Sequence, residues 1–164
     1  MKGIIKQILT WFFTKVSLCG IKHGNNCKCN FRCKFTSNTE IGTNCHFNGM
    51  HISGNGKVII GDNFHSGKHI RIITTFHNFD YGAALPYDTT TYSKDVIIED
   101  NVWLGEAIMI LGGIHIGEGA VIQAGSVVCK DVPPLAIAGG HPAIPFKYRD
   151  ETHYYNLKCE KSFM

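Results

Sequence analysis

The sequence predicts an all-β solenoid, a parallel β-helix, on three observations. The first is a six-residue beat: Ile98, Leu104, Ile110, Ile116, Ile122 and Val128 fall six apart, and all are aliphatic. The second is a companion track four residues after each anchor: Val102, Ile108, Ile114, Ala120, Ser126 and Val132. The third is the glycine placement, with Gly105 and Gly117 directly following two anchors. A period of six matches neither a helix (about 3.6) nor a single strand (about 2). Short identical rungs of this kind bury their anchors only by stacking, which gives one continuous core.

The elements follow in order. Residues 1–20 read as an amphipathic helix, because Ile4, Ile5, Ile8, Leu9, Phe12, Phe13 and Val16 recur at helical spacing between Lys2, Lys6 and Lys15. Two placements stand open: packing on the end or side of the domain, or peripheral contact with a membrane surface through residues 1–18. A signal peptide fits poorly, since Lys6 and Lys15 interrupt the apolar region and no small-residue cleavage site follows. Residues 21–149 form the repeat domain, and residues 150–164 a C-terminal tail. The first block of coils (about 21–76) extends the beat back through Ile41, Phe35 and Cys29, and forward to Phe47. It slips at Ser53-Gly54-Asn55-Gly56, a turn or bulge, and resumes at Ile60, Ser66 and Ile72. An extruded loop (about 77–95) carries no beat, and a loop thrown from a regular solenoid is a natural binding element. Pro133-Pro134 end the coils. Gly139-Gly140-His141-Pro142-Ala143 links to the tail, whose Tyr154, Tyr155 and Leu157 fall on one side of a helix.

A chain of 164 residues supports one domain with a sizeable core. A formal net charge of +3 is too small to argue for nucleic acid, and no basic stripe carries interleaved aromatics. No apolar run reaches the roughly 18–20 residues that span a bilayer. Seven cysteines without a signal peptide point to reduced thiols in the cytosol, with the inner face of a membrane as a second location. Cys27, Cys29, Cys33 and Cys45 lack paired C-x-x-C knuckles. Their place on the two tracks makes them core fillers, and no metal is expected.

The rungs themselves resemble a known family. Ile98-Glu99-Asp100-Asn101-Val102-Trp103-Leu104-Gly105 is similar to the I-x-x-x-V-W-I-G rung of hexapeptide-repeat acetyltransferases. Residues 113–128 resemble the G-V-x-I-G-x-x-(A/S)-V-I-G-A-G-S-V-V stretch that follows it. Lys130-Asp131-Val132-Pro133-Pro134 and Ala138-Gly139-Gly140-His141-Pro142-Ala143 resemble its K-D-V-P-P and A-G-x-P-A ending. The resemblance implies a left-handed parallel β-helix of triangular section. It also implies a homotrimer with active sites between subunits, and acetyl-CoA as co-substrate.

His77-Asn78-Phe79-Asp80-Tyr81-Gly82 followed by Leu85-Pro86-Tyr87 looks like the H-x-x-D-G and P-(F/Y) pattern of the xenobiotic (streptogramin and chloramphenicol) branch. The maltose and galactoside branch places its catalytic His similarly. The resemblance makes His77 the general base, a role neutral imidazole suits near pH 7. Asn48 sits near where the sugar-acetylating branch keeps an Asn that binds acceptor or oxyanion, so the resemblance gives it that role. Asp80 would orient His77, bind the acceptor, or simply be solvated. For CoA the resemblance carries over Trp103, Gly105, Ala107, Ala124, Gly125, Lys130, Lys147 and Arg149, with the cations for phosphates. Trp103 has a second reading, as a surface aromatic packed on a trimer neighbour. Glu106 departs from the small polar residue usual at its position.

The expected reaction is O-acetylation of a hydroxyl on a sugar or surface polysaccharide, of capsule or lipopolysaccharide type. Alternatives are N-acetylation of a nucleotide-linked amino sugar and acetylation of an antibiotic. A γ-type carbonic anhydrase would share the coil and use His65, His69 and His77 on zinc, but their spacing does not match.

Overall fold

The computed structural model describes residues 2–164; Met1, the first position of the expected helix, lies outside them. The coil has three faces of parallel strands. The first stacks Lys22–His23, Thr39–Ile41, Val58–Ile60, Val96–Ile98 and His115–Ile116. The second stacks Lys28–Cys29, His46–Phe47, His65–Ser66, Trp103–Leu104, Val121–Ile122 and Ala136–Gly140. The third stacks Met50–Ser53, Ile70–Ile73, Met109–Leu111 and Val127–Val128. In register, Ile41 pairs with Ile60, Ile60 with Ile98, and Ile98 with Ile116. Three six-residue rungs therefore make one turn, so each anchor lies directly above its counterpart in the coil below.

All six anchors and all six companion residues of the regular block are buried. Each fully buried aliphatic side chain contributes about 1.5–3 kcal/mol of transfer free energy. Phe47 and Phe64, at 5.3 Å between ring centroids, widen the core of the first block. Cys29, Cys33 and Cys45 are buried there as core fillers, whereas Cys27 is only half-buried.

One corner of the coil is an asparagine ladder. Asn26, Asn44, Asn63 and Asn101 all have φ between 55° and 59°. Asparagine tolerates this left-handed backbone better than other residues with a side chain. Each amide then bonds one coil onward: Asn26 Nδ2 to Asn44 Oδ1 at 2.6 Å, Asn44 to Asn63 at 3.0 Å, and Asn63 to Asn101 at 3.0 Å.

The two breaks in the beat share another corner. Thr74, fully buried, donates its Oγ1 hydrogen to Ser53 O at 3.0 Å and accepts Gly56 N at 3.1 Å. Gly54 turns this bulge at φ +101°, and a Cβ there would lie 2.5 Å from Thr74 Oγ1. The extruded loop leaves from the next residue. It is an antiparallel hairpin of Thr75–His77 and Thr91–Ser93, so it begins two residues before the expected boundary.

Both ends of the coil are covered. α1 (Lys2–Ser17) caps the first coil, but not with the expected face. Its hydroxyl edge faces the coil: Thr14 Oγ1 accepts Cys29 N at 2.9 Å, Ser17 Oγ accepts Cys33 N at 2.9 Å, and Thr10 Oγ1 donates to Asn30 Oδ1 at 3.1 Å. Open strand edges present unpaired N–H groups, and hydroxyls satisfy them where Ile or Leu could not. Phe13 is the one member of the apolar stripe packed on the core, while Ile4, Ile5, Ile8, Leu9, Phe12 and Val16 are exposed.

At the other end the coils do not stop at Pro133-Pro134. Ala136–Gly140 adds a further rung, and Ala143–Tyr148 folds back antiparallel to close the edge. α2 (Glu151–Cys159) follows, with Asp150 as its N-cap accepting His153 N at 2.7 Å. Tyr154 is its buried residue and Leu157 is half-buried, whereas Tyr155 points away and is 43% exposed.

Candidate active site: an extruded hairpin and a coil-side groove

His77 ends the first strand of the hairpin, opposite Thr91. Its exposed imidazole lies flat on Tyr87, with centroids 3.8 Å apart and planes 14° from parallel. This contact fixes the ring plane while the residue stays exposed. The P-(F/Y) motif marked the tyrosine; its stacking on His77 required the folded loop. Asp88 organises the tip, accepting Ala83 N at 2.9 Å and Thr90 N at 2.8 Å. Sequence reasoning passed over it, although Asp88-Thr89-Thr90 is a recognisable Asx-type turn signal. Asn78 bridges the loop by accepting Tyr81 N and donating to Thr90 Oγ1, each at 3.1 Å. Asp80 is exposed, and among the described residues no hydrogen bond or ion pair joins it to His77.

Asn48 lies on the coil and takes part in a second ladder. It donates to Ser66 O at 2.7 Å and accepts Asn30 Nδ2 at 2.9 Å.

A groove of about 1050 Å³ runs between the second face and the C-terminal tail. Trp103, Gly105, Ala124 and Arg149 line it, four of the eight residues assigned to CoA. Ala107, Gly125, Lys130 and Lys147 are exposed outside it, as are His77 and Asp80; Asn48, half-buried, also lies outside it. Gly105 keeps the floor flat: a Cβ there would lie 2.6 Å from Ala124 N in the next coil. Glu106 also lines the groove and sits 3.4 Å from His69 Nδ1.

The opposite wall is held by Glu118, which sequence reasoning missed. Its Oε1 accepts Lys158 Nζ at 2.6 Å, Tyr154 OH at 2.8 Å and Asn101 Nδ2 at 3.3 Å. Burial pushes the Glu118 carboxyl up, but the hydrogen bonds from Lys158, Tyr154 and Asn101 outweigh it and leave it below its usual value. Arg149 donates to Gly119 O at 3.2 Å and packs its guanidinium 4.8 Å from the Tyr154 ring. These partners lie too far apart in sequence for any spacing pattern to link them.

On adjacent coils of the second face, His46 and His65 pack with ring centroids 4.5 Å apart and planes tilted by 52°. Both Nε2 atoms and Ser66 Oγ are buried without a hydrogen-bond partner among the described residues. Burial holds both imidazoles below the usual value, and the facing His65 adds to this at His46. Among the described residues no cluster of three or more His, Cys, Asp or Glu side chains is arranged to hold a metal.

This architecture defines a class: a three-faced parallel β-helix with one extruded hairpin bearing a histidine. Residues 95–130 match the bacterial transferase hexapeptide (six repeats) family. Galactoside O-acetyltransferase of Escherichia coli is 34% identical over 133 residues, covering 78% of this chain and 64% of the relative. Chloramphenicol acetyltransferase of Klebsiella aerogenes is 36% identical over 97 residues, covering 51% of this chain and 46% of the relative. A hexapeptide-repeat acetyltransferase of Vibrio cholerae, solved in complex with acetyl coenzyme A, superposes with a TM-score of 0.69 at 29% identity; the match covers 84% of this chain and 76% of that one. The chain shares its repeat pattern and its fold with the hexapeptide-repeat acetyltransferases. It spans about half to two thirds of the length of these curated relatives.

Proposed function

We propose that the protein transfers an acetyl group from acetyl-CoA to a hydroxyl of a sugar or surface polysaccharide, with His77 as general base. The observation that carries this reading is the His77–Tyr87 stack at the root of the hairpin, which presents a fixed, exposed imidazole. In the reaction the acceptor oxygen attacks the thioester carbonyl while His77 takes the hydroxyl proton. The C–S bond breaks as the tetrahedral intermediate collapses, and the imidazolium returns its proton to the departing CoA thiolate. Both substrates are held together, so no covalent enzyme intermediate forms.

The likeness to galactoside and chloramphenicol acetyltransferases supports a hydroxyl acceptor. The flat floor at Trp103, Gly105 and Ala124 suits the pantetheine arm, with Arg149 facing the phosphates. His77 does not line this groove, which supports a trimer in which one copy's hairpin meets a neighbour's groove.

The test is thiol release from acetyl-CoA with a panel of glycans, nucleotide-linked amino sugars and chloramphenicol. His77→Ala should lower kcat by about 10²–10⁴-fold while CoA binding is retained. Near wild-type turnover in His77→Ala would remove the catalytic assignment. Turnover with the amine acceptors alone would replace O-transfer by N-transfer.

A further inference from the structure

We infer that α1 is an interfacial anchor that seats the basic end of the solenoid on an anionic lipid surface. This inference does not depend on the reaction proposed above. It begins with the inverted docking of the helix. A helix on a globular domain normally buries its apolar stripe. Here the hydroxyl edge is committed to the coil through Thr10, Thr14 and Ser17, and the apolar arc faces outward. Ile4 and Trp11 are each 63% exposed and Phe12 is 52% exposed. The arc is therefore fixed in orientation by the same hydrogen bonds that satisfy the strand edge. At 16 residues, α1 lies on a bilayer rather than crossing it.

Charge complementarity selects the occupant. Residues 1–39 contain seven Lys and Arg and no Asp or Glu, while the remaining 125 residues contain nine and thirteen. The net charge of +3 thus divides into +7 at the helix end and −4 elsewhere. Lys28 and Lys34 lie in the first coil, to which the helix is bonded. The first acidic residue, Glu40, is already held by Lys22 at 3.0 Å and Lys57 at 2.8 Å. An exposed Trp and Phe between cations is the composition that inserts at the headgroup level. A nucleic acid would be matched by the charge but not by the Ile-rich arc, and a second copy of the chain would set two basic ends against each other.

The test is co-sedimentation of the whole chain with vesicles of phosphatidylcholine alone and of phosphatidylcholine mixed with phosphatidylglycerol. Binding is expected to the anionic vesicles only and should weaken as salt is raised. Phe12→Glu should reduce the bound fraction about tenfold or more, with circular dichroism and melting temperature little changed, because its side chain is 52% exposed and lies outside the core cluster. Should that variant fail to fold, Lys6→Gln with Lys15→Gln changes only exposed positions and should cut binding to anionic vesicles about tenfold. Three results would overturn the inference: no binding to anionic vesicles, equal salt-insensitive binding to both compositions, or an unchanged bound fraction in Phe12→Glu. A change in particle mass by light scattering, with vesicle binding unaltered, would assign the face to contact between copies instead.

Discussion

Replacing Asn63 separates the two things the asparagine ladder does. Asn63 holds φ 55°, donates to Asn101 Oδ1 at 3.0 Å and accepts from Asn44 Nδ2 at 3.0 Å. Both Asn63→Ala and Asn63→Gly lose the two side-chain hydrogen bonds, at about 0.5–1.5 kcal/mol each. Alanine keeps a Cβ in the left-handed region but loses the local side-chain hydrogen bonding that lets asparagine tolerate it, at up to about 1–2 kcal/mol. Glycine avoids that strain but adds chain entropy to the unfolded state, at about 0.5–1 kcal/mol. The expected totals are about 2–5 kcal/mol for Ala and about 1.5–4 kcal/mol for Gly. Glycine should therefore be the milder substitution by about 0.5–1 kcal/mol, the reverse of their order in a helix or strand interior. For a domain of this size that difference is roughly 1–4 °C in melting temperature. Thermal unfolding of the three proteins at one fixed concentration reads it directly, and fixing the concentration removes any contribution from self-association. An alanine variant as stable as the glycine variant, or more so, would refute the assignment of left-handed strain to this corner.

Other outcomes follow from the same structure. Thr74→Val should cost about 1–3 kcal/mol by leaving Gly56 N–H buried without its acceptor, and it should also lower turnover because the hairpin carrying His77 starts at the next residue. A melting curve together with the thiol-release assay checks both. Gly105→Ala should cost about 1–3 kcal/mol through overpacking against Ala124 N and should weaken CoA binding, measured by calorimetry. Glu118→Gln should loosen α2 while the coil stays folded, seen as faster hydrogen exchange confined to residues 150–164. The wild-type Glu118 carboxyl is held below its usual value, so its contribution is present above that value and is lost as pH falls through the folded one. His46 and His65 have the opposite requirement. Burial keeps them neutral in the fold, so below about pH 6.5 the unfolded chain takes up protons first and stability declines. Replacing both with Phe should flatten a plot of melting temperature against pH between about 7 and 5; an unchanged slope would show that other groups govern that window.

What the sequence determined by itself was the scaffold. A six-residue period admits only stacked rungs, so the twelve buried positions from Ile98 to Val132 were legible from spacing alone. So was the core role of Cys29, Cys33 and Cys45. The breaks in the beat were legible as breaks, because turn residues and a missing period are local signals. The tertiary structure decided everything that depends on one coil lying beside another. The slip at 53–56 and the hairpin at 75–93 meet at Thr74 because stacked corners align positions about twenty residues apart. The groove gathers Trp103, Gly105, Ala124 and Arg149 but leaves out Lys130 and Lys147, since a residue's face depends on its exact place in an 18-residue turn. Glu118 joins Asn101 and Lys158 only after the tail folds back. The clearest case is α1. Its apolar stripe was readable, but the direction it faces was not. The open edge of the first coil needs hydrogen-bond acceptors more than it needs apolar area, so it binds the Thr and Ser edge and leaves the Ile, Trp and Phe arc outside.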